Sequence, residues 1–326
     1  TLPTAGLARR GARLLETVAE TAGPDDVLHL VGHSTGGVDT RVFTAPETVL
    51  PSPLELEPYA ARVASAVSIA APHHGVPQAR LFTTLLGQHL LRALSLMTVH
   101  GIRLGSVPAP LLLTLAASVR RLTRFQGPAV GIVNQVYRQL LRDFDRERQI
   151  QLEEFFAAAA ADQGLLPELY PEAMAVFNAR VGRRESTRYG SVITRSRPPT
   201  WRTTLSLGLS PSEHAKHALY RALYELASTL PRSACPPLTH AQARALDAVY
   251  GHIPDTSAND AIVPTLSQVD GEILFAAWAD HHDVIGQFDE PAHQPPHVDW
   301  LATQSFFTRS QFEALWETVA MFLIRA

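Results

Sequence analysis

The sequence predicts an α/β fold, built on a mostly parallel sheet flanked by helices. Three observations predict it: short apolar runs typical of strands buried on both faces, a helical pattern before and after the first run, and alternating strands, turns and helices along the chain. The apolar runs are residues 27–31, 63–70, 189–194 and 272–276. Amphipathic spacing over residues 7–22 predicts the first helix, and residues 311–324 predict the last one.

Two stretches between the predicted strands have helical patterns rich in leucine and alanine. They cover residues 76–187 and 199–257. The simplest organisation is a single domain over residues 1–326, in which both stretches are helical insertions that form a cap over the loops of the sheet. A length of 326 residues fits one elaborated domain of this kind.

Composition excludes several classes of protein. With 46% hydrophobic and 18% charged residues, the chain is globular rather than disordered. A net charge of −3 provides no field that would hold nucleic acid or an anionic membrane, so neither is expected as a partner. The longest apolar stretch, residues 107–119, contains two prolines and is too short to span a bilayer. The single cysteine, Cys235, excludes an intramolecular disulfide.

A serine motif follows the first predicted strand. Residues 32–36 read Gly-His-Ser-Thr-Gly, which matches the Gly-x-Ser-x-Gly elbow that holds a nucleophilic serine on a strained turn between strand and helix. The backbone N–H of Thr35 would begin that helix, where the donors and the helix dipole favour an oxyanion. The alternative is that Ser34 belongs to a purely structural glycine turn.

A serine nucleophile needs a base, and the base needs a carboxylate, in the chain order serine, acid, histidine. Asp260 lies in a polar loop before the last predicted strand, and His281 and His282 follow that strand. Asp255 and Asp270 are rival acids, and an exposed turn aspartate is the alternative for Asp260. The alternative for the histidine pair is that both are ordinary polar residues on the protein surface.

Four motifs occur in an order that resembles the α/β-hydrolase superfamily, and within it the bacterial lipase and esterase group. They are residues 32–37, Pro72-His73-His74-Gly75, Asn259-Asp260 and His281-x-Asp283. The resemblance implies that Ser34 is the nucleophile, Asp260 the acid and His281 the base. His281 is preferred to His282, the alternative base, because the pattern places an aspartate two residues after the histidine. We expect His33, His73 and Asp283 to contact the catalytic residues without reacting with the substrate themselves.

The resemblance also implies that Asp283 reaches a calcium ion in some relatives. The partner aspartate ahead of the acid loop is not matched here, because His240 lies near the expected position. An ordering hydrogen-bond network is therefore the favoured interpretation of the carboxylates around the histidine pair, since calcium needs several matched oxygen ligands. No metal or other cofactor is assigned.

The predicted function is that of a serine ester hydrolase, a lipase or carboxylesterase of lipid metabolism acting through an acyl-enzyme on Ser34. The expected substrate is a small-molecule or lipid ester with an apolar acyl chain. Two alternatives stay open: an acyltransferase with the same triad, and a non-catalytic homologue that only binds a hydrophobic ligand. The leucine-rich helices fit an acyl pocket and a packed cap interior equally well. Oligomeric state is not predicted.

The 33 residues before Ser34 supply one predicted helix and one predicted strand. In this fold the second oxyanion donor comes from a loop after an earlier strand. We therefore expect the N-terminal strands and the oxyanion loop to be absent from this chain. The compartment stays unassigned: it is cytoplasmic if the N-terminus is complete, whereas a secretory signal would lie in a missing part.

Overall fold

The computed structural model describes residues 3–46, 48–104, 107–123, 130–228, 230–290, 299 and 301–325. Its sheet has four strands, all parallel, in the spatial order β1-β2-β3-β4. The strands are β1 (Leu28–His33), β2 (Val63–Ile69), β3 (Arg188–Arg195) and β4 (Glu272–Trp278). All four predicted strands are confirmed, but β1 is not buried on both faces as predicted, because His29 and Val31 of this edge strand are exposed. Within the described residues no strand precedes β1, which forms one edge of the sheet.

Fourteen α-helices lie in the described part of the chain, and the predicted first and last helices are confirmed. They are α1 (Leu7–Thr21), α2 (Thr35–Thr44), α3 (Glu57–Ala60), α4 (Ala79–Phe82), α5 (Leu85–Leu104), α6 (Ala109–Thr123), α7 (Val130–Arg142), α8 (Arg146–Ala161), α9 (Leu165–Glu168), α10 (Pro171–Arg180), α11 (Trp201–Leu205), α12 (Pro211–Ala227), α13 (His240–Tyr250) and α14 (Arg309–Ile324). None of the helices described here is both long and apolar enough to cross a membrane.

The two faces of the sheet are covered by different helices. Successive side chains of a strand point to opposite faces. On one face, α2 approaches β2 so closely that a Cβ atom at Gly37 would lie 2.7 Å from the Cβ of Ser68. On the other face, Val67 and Ile69 share a hydrophobic core with Leu315 of α14. Burial on both faces explains why β2 reads as an almost continuous apolar run.

A separate helical layer is formed by α5, α6, α7, α8 and α12. These helices share one hydrophobic core, which includes Leu115 of α6, Leu140 of α7 and Tyr220 of α12. The two predicted insertions therefore meet, because α12 packs along α6. Other parts of the same stretches belong to the layers around the sheet: Met174 of α10 packs in the core of α1 and α2, and Leu246 of α13 packs with β3 and β4. The single-domain division itself stays a prediction.

Candidate active site

Ser34 lies at the carboxyl end of β1, immediately before α2. Its backbone has φ 56° and ψ −131°, a conformation that non-glycine residues rarely adopt and that costs about 1–3 kcal/mol. The surrounding structure holds it there. Ser34 N–H donates to Ile69 O at 2.8 Å, and Gly37 N–H donates to Ser34 O at 3.0 Å. The serine thus occupies a strained turn between strand and helix, and it is partly exposed.

Two of the three glycines around this turn are required by close contacts. A Cβ atom at Gly32 would lie 2.2 Å from Gly36 O, and one at Gly37 would lie 2.5 Å from the Cβ of Ala71. A Cβ atom at Gly36 would have no heavy atom within 4 Å. Gly36, although it belongs to the Gly-x-Ser-x-Gly pattern, is therefore not needed for packing, whereas Gly37 outside the pattern is.

We expect Gly37→Ala to lower the free energy of unfolding by about 1–3 kcal/mol, because the added methyl group overpacks the contact between α2 and β2. Gly36→Ala is the matched control, and it should leave stability unchanged or raise it, since alanine favours helix formation. Urea denaturation of both variants measures the difference. Equal losses in the two variants would contradict this account of the turn.

Asp260 and His281 form a buried pair. His281 Nδ1–H donates to Asp260 Oδ2 at 2.8 Å, and the two residues are 3% and 0% exposed. The acid loop fixes the carboxylate, because Asp260 Oδ1 accepts hydrogen bonds from the backbone N–H groups of Ile262 at 3.0 Å and Val263 at 2.7 Å. An imidazole held through Nδ1 keeps Nε2 as the atom that can take a proton.

Sequence reasoning missed two side chains that complete this arrangement. Thr194 Oγ1 donates to Asp260 Oδ2 at 2.7 Å, and Gln268 Nε2 donates to the same oxygen at 3.2 Å. Gln268 Oε1 in turn accepts from Thr194 N at 2.7 Å. Thr194 could have been identified from its place near the carboxyl end of a predicted strand, where sites in parallel sheets lie. Nothing in the pattern marks Gln268.

The rival acids, Asp255 and Asp270, make their contacts with residues other than His281. Asp255 accepts hydrogen bonds from Ser257 N and Oγ, at 2.8 and 2.7 Å, within its own turn. Asp270 pairs with Arg183. Among the histidines that the structure describes, His281 is the one that donates a hydrogen bond to Asp260.

His33 connects the serine turn to the histidine loop. Its Nε2–H donates to His281 O at 2.8 Å, and the two ring centroids are 4.6 Å apart. Burial lowers the pKa of His33 to about 3, so this ring is neutral. Ser34 Oγ makes no hydrogen bond with another side chain of the described residues. Nucleophile and base often come into contact only when substrate binds.

Thr35 is the first residue of α2, so its backbone N–H has no acceptor within the helix. Its side chain is fixed by a buried ion pair that the sequence did not reveal. Arg10 of α1 donates from Nη2 to Thr35 Oγ1 at 3.1 Å. The same guanidinium contacts both carboxylate oxygens of Asp39, at 2.9 and 2.6 Å. The helix that begins after the serine is thereby anchored to α1.

His73 is fully buried and does not contact the Asp260–His281 pair through a hydrogen bond. Its ring nitrogens have no partner among the described residues, and its backbone oxygen accepts from Asn178 Nδ2 at 2.8 Å. Burial lowers the pKa of His73 to about 3. The charges that act on it include those of Asp270 and of Arg41, which lies in the last turn of α2.

Two buried carboxyl groups and one that is partly buried lie beside the histidine loop. Oxygen atoms of Asp280, Asp283 and Asp299 all lie within 4.8 Å of one another. The expected hydrogen-bond network is present: Asp280 Oδ1 accepts from the backbone N–H groups of His282 and Asp283, and Asp283 Oδ2 accepts from Ser305 Oγ. It leaves Asp280 Oδ2 and Asp283 Oδ1 buried without a partner among the described residues.

These carboxyl groups fit a divalent cation with oxygen ligands, such as calcium. Burial raises the pKa of Asp280 to about 7 and raises the pKa of Asp283 and Asp299 well above the usual range, so three charged carboxylates need a counter-charge. The third carboxylate comes from Asp299, after the histidine loop. The position near His240, ahead of the acid loop, instead begins α13.

Chelation with EDTA is expected to lower the thermal unfolding midpoint, and added calcium is expected to restore it. A cation that binds only the folded state at 100 times its Kd contributes about 2.7 kcal/mol of stability. Calorimetry in EDTA and then in excess calcium measures the shift. Asp283→Asn should abolish the response to calcium, and wild-type protein that shows no response would contradict the assignment.

Comparison with protein-family models and with curated proteins finds no match to this chain. Several solved structures are similar. A metagenomic carboxyl esterase has 18% sequence identity and a TM-score of 0.47, and the alignment covers 100% of this chain and 64% of that protein. A lipase from Staphylococcus hyicus has 15% identity and a TM-score of 0.44, covering 93% and 70%. Lipase 1 from Pelosinus fermentans has 17% identity and a TM-score of 0.43, covering 92% and 73%.

The chain's own topology defines its fold. The sheet is parallel, with helices on both faces. A strained serine follows β1 and opens a helix, Asp260 follows β3, and His281 follows β4. This is the chain order and the strand-turn-helix context of a nucleophile elbow with its acid and histidine. The chain therefore has an α/β-hydrolase fold.

Proposed function

We propose that this chain is a serine ester hydrolase of the lipase or carboxylesterase type, with Ser34 as nucleophile, His281 as base and Asp260 as the acid that orients it. The observation that supports it best is the buried Asp260–His281 pair, held next to a strained serine through the contact of His33 with His281 O. A structural glycine turn has no need of such a pair.

In the proposed reaction, His281 Nε2 takes the proton of Ser34 Oγ as the oxygen attacks the ester carbonyl. The tetrahedral intermediate breaks its C–O bond, and the protonated histidine gives the proton to the departing alcohol. Water then attacks the acyl-enzyme by the same route and releases the carboxylic acid. Asp260 stabilises the imidazolium at each step. The Thr35 N–H supplies one hydrogen bond to the oxyanion, a type of contact that contributes about 10²–10³ in kcat.

A cation bound at the three carboxyl groups would affect the reaction only by fixing the position of the histidine loop. Asp280 and Asp283 flank His281 in the chain, and Asp299 belongs to the segment that follows. A bound divalent cation would offset two of the three negative charges and so hold the loop that carries the base.

An apolar cavity suggests what kind of acyl group is accepted. It lies between α5 and α8, has a volume of about 140 Å³, and is lined by Phe155 and Phe156 among others. Arg10 connects its rim to the serine turn, because it donates to Pro3 O at 3.0 Å and to Thr35 Oγ1. We infer that this cavity receives the acyl chain of the ester.

A fluorophosphonate probe and a series of p-nitrophenyl esters test the proposal together. We expect the probe to add its mass to the peptide that contains Ser34, and we expect turnover of the p-nitrophenyl esters. Labelling elsewhere, or no labelling of folded protein, would overturn the assignment of the nucleophile.

A matched pair of substitutions on α8 tests the acyl cavity. Ala160 lines the cavity and Ala158 does not, and both are exposed. Ala160→Phe should lower kcat/KM for the hexanoate ester and leave the acetate ester unchanged, because the new ring fills space that only the longer chain uses. Ala158→Phe should change neither ester. An equal effect of the two variants would place the acyl group elsewhere.

A further inference from the structure

A second cavity lies apart from the serine site, and the proposed reaction does not use it. Its volume is about 310 Å³. Its polar lining comes from Arg41 of α2, Asn178 of α10, Arg183 ahead of β3, Gln242 of α13 and Asp270 ahead of β4. We propose that this cavity binds a small monoanionic carboxylate.

The charges that line the cavity do not balance. Asp270 accepts a hydrogen bond from Arg183 Nη2, and its Oδ1 lies 3.8 Å from Arg41 Nη1. Two guanidinium groups therefore share one carboxylate. His74 also lines the cavity, but burial lowers its pKa, so the ring adds no charge. The lining keeps one net positive charge, which favours an anionic ligand.

The guanidinium of Arg41 has donors that no other group uses. Arg41 is only 6% exposed. Its Nη1 donates to Asn178 Oδ1 at 2.7 Å, whereas Nε and Nη2 make no hydrogen bond in the described part of the chain and are not among its fully buried unpaired atoms. These two donors are therefore open to water or to a ligand. The geometry of these donors matches the two oxygens of a carboxylate, which guanidinium groups bind in bidentate fashion.

The amide side chains of the cavity are already fixed. Gln242 Nε2 donates to Gly271 O at 2.7 Å, and Asn178 Nδ2 donates to His73 O at 2.8 Å. Their orientation is thereby set, and because neither amide carries a charge, recognition of a charged ligand falls to the two arginines. His74, from the turn at residues 72–75 that has no role in the proposed reaction, becomes part of this wall.

Charge and size both favour a small ligand with one negative charge. A monoanion neutralises the lining, whereas a dianion would place its second charge near the carboxylate of Asp270. A volume of about 310 Å³ lies at the lower end of small-molecule sites, which span roughly 300–1,000 Å³. Lactate, a small carboxylate with one negative charge, serves as the probe.

Titration calorimetry with sodium lactate at constant ionic strength, with sodium chloride as the blank, tests the proposal on the full chain. Arg183→Gln is the main variant, because its side chain is 44% exposed and its loss should not prevent folding. We expect it to raise the Kd for lactate about tenfold or more, since it removes a charged donor. Arg41→Lys, which keeps the charge and loses the fork, should have a similar effect.

Arg184→Gln is the matched control: Arg184 neighbours Arg183 in the chain but binds Glu57 and does not line the cavity. It should bind lactate as the wild type does. Ser34→Ala should do so as well, so this proposal and that of ester hydrolysis can fail separately. No heat of binding in the wild type, or equal weakening by Arg183→Gln and Arg184→Gln, would overturn the proposal. Tighter binding of inorganic phosphate than of lactate would overturn the choice of a carboxylate.

Discussion

Ser34→Ala is expected to lower kcat for a short p-nitrophenyl ester by about 10⁶-fold, the size of loss seen when a serine hydrolase loses its nucleophile. Any residual hydrolysis by the variant would come from substrate binding and the remaining oxyanion contacts alone. The substitution should leave the fold intact, because Ser34 Oγ has no hydrogen bond to another side chain of the described residues and alanine carries the same Cβ atom into the strained backbone.

Steady-state kinetics and urea denaturation of the same preparation test this expectation. We expect unchanged stability together with the loss of kcat, and we expect no reaction of the variant with the fluorophosphonate probe. A variant that keeps more than about one hundredth of the wild-type kcat would exclude Ser34 as nucleophile, since removal of a single oxyanion donor already costs that much.

The strands could be predicted because the apolar pattern that marks each strand lies within its own contiguous residues. A strand buried on both faces of a parallel sheet is apolar along its whole length, and residues 63–69 show this directly. The elbow could be predicted because its glycines, its serine and its flanking elements are contiguous. Even there, the pattern does not show that the tight contact with the sheet belongs to Gly37 rather than Gly36, because the contact partner, Ala71, is on another segment.

Interactions between distant segments are the part that the sequence does not reveal. Thr194 and Asp260 are 66 positions apart, and no local pattern connects them. Asp299 lies in a segment without helical or strand periodicity, so only the folded chain places it against Asp280. The amphipathic face of α12 predicts that one side is buried, but not that α6 is the helix against which it packs.

Asp260→Asn is expected to lower kcat by about 10⁴-fold, because the carboxylate holds the tautomer of His281 and stabilises its charge. The hydrogen bonds around Asp260 make any substitution at this position unusually costly. Asp260 accepts five hydrogen bonds, two at Oδ1 and three at Oδ2. An asparagine must turn its NH₂ group toward one set of these donors, so a buried mismatch follows in either orientation.

The variant should therefore lose stability as well as activity, and the two losses must be separated. Thr194→Val removes one donor to Asp260 Oδ2 and keeps the carboxylate, so it should reduce stability while kcat falls by about tenfold at most, the scale of one hydrogen bond. Asp255→Asn, at the rival acid, should leave kcat unchanged. If Asp255→Asn lowers kcat as much as Asp260→Asn does, the catalytic acid is not the residue that His281 contacts here, and the histidine loop must rearrange before reaction.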